Sequence, residues 1–383
     1  MNTKKTLIFS TSYYPFVGGA EVAIKEITDR ISDRQFDLIT GKYDHQVSPR
    51  EKIGNVNIYR LGVGISIIDK LLLPFWGAIF TLKLNSKNKY DSFWCMMVTY
   101  TSGAAHIANI IHFWKKVPII LTLQEGDSED HFRKGWFGLI NLSWRLALLN
   151  TSFVTAISSY LAVRARKFGY KDKLEIIPNG VDIKLFTSEM TKEITRDSTR
   201  ENLGFNKDDI ILVTTSRLSV KNGIEDVIKA LPRLADNVKF VIFGEGKLEN
   251  KLKKLRKDLN VLERVIFEGF VSHDEMPKYL KASDIFIRPS LSEGMGNSFI
   301  EAMATKIPVI ATQIGGIVDF LRDGETGYFC KPQDPDSIVE TVNKVINDPK
   351  KNEIIDNAYN MVVEKYDWNL VAKQMKGVFN KIK

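Results

Sequence analysis

Short apolar runs alternate with helix-period segments along the chain, and the alternation begins afresh near Ile210. A helix between two strands carries the chain back to the edge where it started. That order dictates parallel sheets covered by helices. The first series has seven strand candidates between Thr6 and Ile177, and the second has five between Ile210 and Thr312. At 383 residues the chain is too long for one core, so each series reads as a doubly wound, Rossmann-like α/β unit. The expected division is 1–185 for the first unit, 186–207 for a polar linker, 208–365 for the second unit and 366–383 for a last helix.

Basic residues outnumber acidic ones by 54 to 46. The excess lies in residues 1–185, which hold 24 basic and 16 acidic side chains; the rest of the chain holds 30 of each. Such a surface suits anionic lipid or an acidic glycan. Nucleic acid is set aside, because no helix-turn-helix, RRM or zinc-finger pattern occurs. Cys95 and Cys330 form neither a metal spacing nor a disulfide framework, which fits a reducing cytoplasm. The run after Lys4 and Lys5 is too short for a signal-peptide core. Leu71 to Leu82, with Pro74 inside it, falls short of the roughly 20 apolar residues that span a bilayer. It reads as a buried helix or as one lying on a membrane surface, with Trp76 and Phe80 on one face. The expected location is cytoplasmic, extending to the inner face of the membrane.

The segment Glu293-Gly-Met-Gly-Asn-Ser-Phe-Ile-Glu301 follows an apolar strand pattern and opens into a helix. Backbone N–H groups and the helix dipole make such a place receptive to an anion. Ser298 and Glu301 also form the spacing of a capping box, which needs no ligand. Arg217 follows directly on another strand, with Lys221 close behind, where doubly wound folds bind ligands. Gly244 and Gly246 form a glycine turn after the second strand of this half, either a tight turn or a ligand-lining one. Gly18 and Gly19 open the first helix and allow close backbone approach. Asn179-Gly180 reads as a turn that ends the first unit. Asp334-Pro-Asp336 has the form of a metal motif but reads better as a helix cap followed by proline. His45, His106, His112, His131 and His273 lack ligand spacing, so no metal is expected.

The nonapeptide from Glu293 to Glu301 resembles the E-x7-E signature of retaining glycosyltransferases with the GT-B fold, especially family 4. The resemblance extends from Tyr13 to the C-terminus. It implies two Rossmann-like domains facing each other across a cleft, with the last helix crossing back to the first domain. It implies a UDP- or GDP-sugar as co-substrate, no metal or other cofactor, and a glycan or lipid-linked acceptor. The donor would be held by Gly18, Gly19, Arg217, Lys221, Gly246, Gly294, Met295, Gly296, Asn297, Ser298 and Glu301. Glu301 would take the ribose, and Glu293 the donor sugar near its anomeric carbon. Arg217 would stabilise the leaving diphosphate, which itself receives the acceptor's proton. Asn222 stands where the family's clamp lysine usually falls. Gln124 stands at a common histidine position and cannot titrate. Glu125 and Asp127 are then the nearest carboxylates for orienting an acceptor. A sugar-nucleotide 2-epimerase and a non-catalytic sugar-nucleotide or lipid-binding module are the competing readings.

Overall fold

Strands condense into two separate sheets in the computed structural model, which describes residues 3–127, 139–188 and 195–382. The first holds β1 (Lys4–Phe9), β2 (Arg34–Gly41), β3 (Arg50–Ile53), β4 (Val56–Leu61), β5 (Ser92–Met96), β6 (Ile119–Leu123), β7 (Phe153–Ala156) and β8 (Leu174–Ile176). Their spatial order is β3-β4-β2-β1-β5-β6-β7-β8. Only β3 pairs antiparallel, against β4. β5 and β6 are buried at every position, which is why they read as unbroken apolar runs. The second sheet holds β9 (Ile210–Thr215), β10 (Val238–Phe243), β11 (Val265–Gly269), β12 (Ile285–Arg288), β13 (Val309–Thr312) and β14 (Tyr328–Cys330). Its order is β11-β10-β9-β12-β13-β14, parallel throughout.

Each sheet has one place where the strand order reverses. β1 pairs with β2 on one side and β5 on the other. β9 pairs with β10 on one side and β12 on the other. Loops leaving two such neighbours diverge and open a crevice at the carboxyl ends.

The chain divides into one unit of Met1–Asn179 with Trp368–Lys383, and another of Gly180–Asp367. The segment 186–207, expected as a linker, therefore lies inside the second unit. Among its described residues, Arg196 and Arg200 both pair with Asp284. Arg200, in helix Arg196–Asn202, is buried and donates to Ala282 O at 2.8 Å while pairing with Asp284. The terminal helix Trp368–Lys381 belongs to the first unit. It sends Trp368, Val371, Met375, Val378 and Phe379 into a core shared with Ile24, Ile27 and Trp94. Each such large apolar side chain contributes about 1.5–3 kcal/mol. The second unit has its own core around Leu212, Val227, Phe240, Ile287 and Ile338.

Helix Ser66–Asn88 differs from a simple buried helix. Leu73, Gly77, Ala78 and Thr81 face inward, and a Cβ at Gly77 would lie only 2.7 Å from that of Ala104 on helix Tyr100–Ile111. Phe80 packs on Tyr59, so the outward face is not the expected Trp76 and Phe80 pair. It is Ile67, Leu71, Phe75 and Ile79, between 53% and 75% exposed. Among the described residues no helix is long and apolar enough to cross a membrane. Leu139–Leu149 is helical; a helix reading from Trp136 would begin at a residue that lies outside the described ones.

Candidate active site

The loops after β9 and β12 leave the reversal point of the second sheet and are tied together there. Leu291 N donates to Lys221 O at 2.6 Å, and a Cβ on Gly223 would fall 2.0 Å from Pro289 O. Gly223 has φ +68°, which glycine adopts at little cost. Asn222, at the expected lysine position, is buried, and its Nδ2 donates to Arg217 O at 2.6 Å. It braces the loop and offers no cation of its own. Arg217 is exposed, and its guanidinium makes no hydrogen bond or ion pair among the described residues. Lys221 is half-buried beside it.

The glycine turn after β10 packs onto this same loop. A Cβ at Gly244 would meet Ser216 O at 2.1 Å, and one at Gly246 would meet Leu218 O at 2.4 Å. Leu218 N donates to Glu245 O at 2.9 Å. This is the tight-turn alternative: close packing accounts for both glycines.

The signature loop is organised by a residue that sequence reasoning missed. Arg288, the last residue of β12, is only 6% exposed. Its Nη2 donates to Glu293 Oε2 at 2.8 Å, and its Nη1 donates to Ser298 Oγ at 2.8 Å. An arginine closing an apolar strand was the available signal. The capping box does not form. Helix Asn297–Ala304 starts after Gly296 with no side-chain cap, and Glu301 Oε1 lies 3.2 Å from His273 Nε2 instead. The helix therefore starts from a glycine N-cap, and its dipole points its positive end at the signature loop. Met295 is buried, so only its backbone could contact one. Gly315 is a second missed residue. At φ +52° its Cβ would lie 2.0 Å from Glu293 O, and Gly316 N donates to that carbonyl at 3.2 Å. The hydroxyls of Thr214, Thr215, Ser216, Ser219 and Ser290, near the same strand ends, are buried without partners among the described residues. Buried polar groups normally find a partner, so a ligand or water is expected there.

In the first unit, Gly18 caps helix Gly19–Asp29 through its backbone alone, with no side-chain hydrogen bond. Gln124 follows β6 and exchanges amide hydrogen bonds with Asn179, which is therefore more than a turn residue. Glu125, expected to face an acceptor, is turned inward and is 8% exposed. Its Oε1 accepts from Val98 N at 2.6 Å and its Oε2 from Gln124 N at 3.0 Å. These strand-end amides need acceptors, which is the physical reason for the inward rotamer. Burial pushes its carboxyl up to about 7, against the pull of those hydrogen bonds and Arg164. Asp127 is the exposed carboxylate of the pair, its backbone oxygen accepting from Arg164 Nη2 at 3.1 Å.

Asp334 caps helix Pro335–Asn347 by accepting from Ser337 N at 3.0 Å, and Asp336 pairs with Arg233. The Asp-Pro-Asp motif is thus divided between a cap and a surface ion pair. Among the described residues no three His, Cys, Asp or Glu side chains gather as a metal site would require. His131 lies outside the described residues.

Comparison with known proteins agrees with this architecture. The profile of Glycosyltransferase Family 4 matches residues 17–185, and that of Glycosyl transferases group 1 matches residues 195–361. An uncharacterized glycosyltransferase of Methanocaldococcus jannaschii is 27% identical over 98% of this chain and 97% of its own. A GDP-mannose-dependent monoacylated alpha-(1-6)-phosphatidylinositol monomannoside mannosyltransferase of Corynebacterium glutamicum is 28% identical over 64% of this chain and 66% of its own. Sucrose-phosphate synthase of Thermosynechococcus elongatus superposes with a TM-score of 0.84 at 19% identity, covering 99% of this chain and 98% of that one. Anabaena HepE, solved with UDP-glucose, superposes with a TM-score of 0.80 at 21% identity, covering 98% and 99%. With two Rossmann-like sheets and profiles matched in both halves, the chain belongs to the family 4, group 1 glycosyltransferases and has the GT-B fold.

Proposed function

We propose that this glycosyltransferase moves a sugar, with retention and without metal, from a nucleotide-diphosphate sugar to a glycan or lipid-linked acceptor in polysaccharide or glycolipid biosynthesis. The observation that carries the reading is the N-terminus of helix Asn297–Ala304, with glycine as its N-cap, in the same unit as Arg217 and Lys221. Two cations, the helix dipole and the backbone at the start of helix Asn297–Ala304 suit a diphosphate that gains charge as it leaves, whereas Gly294 N donates to Glu293 Oε1 at 3.1 Å. Glu301 takes the ribose and Glu293 the donor sugar. Gly18 and Gly19 offer further backbone N–H groups to the donor. Gln124 and Asp127 face the acceptor, and Glu125 supports them from beneath. A UDP- or GDP-sugar is the donor class; HepE, solved with UDP-glucose, and the GDP-mannose-dependent relative support one base each.

The acceptor is membrane-presented, and the enzyme meets it by peripheral contact at the cytoplasmic face. Support comes from the exposed stripe Ile67, Leu71, Phe75 and Ile79, which continues at the same four-residue spacing into exposed Lys83 and Lys87. An apolar face flanked by lysines is the pattern of a helix lying in a bilayer interface. The test of the donor reading is a thermal-shift panel of UDP, GDP, ADP and their sugars. A ligand at about 100 times its Kd stabilises by roughly 2.7 kcal/mol. No shift with any of them would overturn the proposal.

A further inference from the structure

Three parts of the signature loop are referenced to one buried side chain. Arg288 bonds Glu293 at the start of the loop and Ser298 at its end, each at 2.8 Å. Its guanidinium carbon lies 4.2 Å from the centre of the Phe299 ring. In the middle, Gly296 has φ +90°, and a Cβ there would come within 2.5 Å of Arg288 Nη2. The loop is wound around the guanidinium as tightly as glycine permits.

Stability alone does not call for this arrangement. A buried ion pair is about as stable as well-packed apolar side chains of the same volume. Arg288 Nε is also buried with no hydrogen-bond partner among the described residues, which carries a cost of its own. Burial pulls the guanidinium below the ordinary arginine range, and the charges of Glu293 and Glu301 work against that pull. What a planar fork supplies, and an apolar side chain cannot, is a fixed direction for a carboxylate.

We propose that Arg288 is a positioning residue for sugar transfer. It orients the Glu293 carboxylate and the Ser298 end of the loop against each other, so that Glu293 meets the donor sugar in one geometry. Each oxygen of Glu293 retains lone-pair capacity beyond its present bond. The inference rests on the glycosyltransferase reading above. It places the larger effect in turnover and the smaller in nucleotide affinity, because the two cations proposed for the diphosphate, Arg217 and Lys221, stand on a different loop.

Arg288→Lys keeps the charge and loses the fork. Calorimetry with UDP and GDP reads affinity. Release of nucleoside diphosphate from UDP-glucose, UDP-N-acetylglucosamine or GDP-mannose, whichever stabilises the wild type, reads turnover. R288K is expected to bind nucleotide within about threefold of wild type and to turn over about 100-fold more slowly. The double variant R288K/E293Q is expected to be no slower than E293Q, because Arg288 acts through Glu293. Ser298→Ala breaks the other arm with the charge of the fork retained, and is expected to slow turnover more than it weakens nucleotide binding. Wild-type turnover in both R288K and S298A, or losses that multiply in the double variant, would overturn the inference alone. A wild type that binds neither UDP nor GDP overturns the glycosyltransferase reading and this inference with it.

Discussion

Gln124 and Asn179 are joined by two reciprocal amide hydrogen bonds, Nε2 to Oδ1 at 3.2 Å and Nδ2 to Oε1 at 3.3 Å. The pair ties the carboxyl end of β6 to the last residue of the first unit's main segment. Asn179→Ala leaves the two half-buried amide groups of Gln124 to find other partners. It should cost about 1–3 kcal/mol in denaturant unfolding, and Q124A/N179A should cost less than the two single changes combined. Full additivity would mean that the amides do not act as a pair.

The uncapped helix at Asn297 separates two roles for Glu301. Because its carboxylate faces His273 and does not cap the helix, Glu301→Gln should melt close to wild type. The same change should weaken UDP or GDP binding by about 1.5–3 kcal/mol if it removes a charge-assisted bond to ribose. Glu293→Gln should bind nucleotide nearly normally and lose turnover. Calorimetry in which both variants bind like wild type would remove the ribose assignment.

The proposed reading has Arg217, Lys221 and the helix dipole neutralise the diphosphate in place of a metal. Nucleotide release from the donor should persist in excess EDTA, with Arg217→Ala lowering it at least as strongly as chelation does. Complete loss on chelation, restored by Mn²⁺ or Mg²⁺, would return attention to Asp334 and Asp336.

Two buried groups in the first unit give opposing pH dependences. Glu125 is raised from its ordinary 4.5 to about 7 by burial, so its contribution to stability is full below 4.5 and is lost as pH rises through 7. His106, on the buried side of helix Tyr100–Ile111, falls from 6.5 to about 4 through burial. Its contribution is full above 6.5 and is lost as pH falls through 4. Each shift is worth up to about 3 kcal/mol, so the two nearly cancel between pH 4.5 and 6.5 in the wild type. Glu125→Gln should expose a stability that rises with pH across that window, and His106→Leu one that falls. Parallel pH profiles for the two variants would contradict this account.

Membrane contact is tested by sedimentation with vesicles containing phosphatidylglycerol. The wild type should co-sediment at low salt and less so at 0.5 M salt, since each lysine near an anionic surface contributes about 1 kcal/mol and salt screens it. Phe75→Asp with Ile79→Asp should abolish binding with the fold intact, because both side chains are more than half exposed. No binding at low salt would reduce the stripe to ordinary surface.

The parallel sheets were legible because buried strands such as β5 and β6 must be apolar on both faces. β3 and β14 were not. β3 is a short edge strand reading Arg-Glu-Lys-Ile, with no alternation to reveal it, and β14 has only three residues. In the candidate site, the loops proposed for the diphosphate were visible from glycines and cations after strands. Their internal bracing was not, since Asn222, Arg288 and Gly315 act through contacts with carbonyls and carboxylates elsewhere in the chain. Glu125 failed for a related reason: a carboxylate beside a polar loop looks solvated until unpaired strand-end amides are seen to claim it.

The placement of helix Trp368–Lys381 sets the order in which this chain can mature. The second unit has all its strands once Cys330 has been synthesised, whereas the first still lacks Trp368, Met375 and Phe379 from its core. The half that leaves the ribosome first is therefore the half that finishes last. Until Trp368–Lys381 arrives, the core around Ile24, Ile27 and Trp94 lacks those side chains, and apolar surface left uncovered in this way favours aggregation during folding.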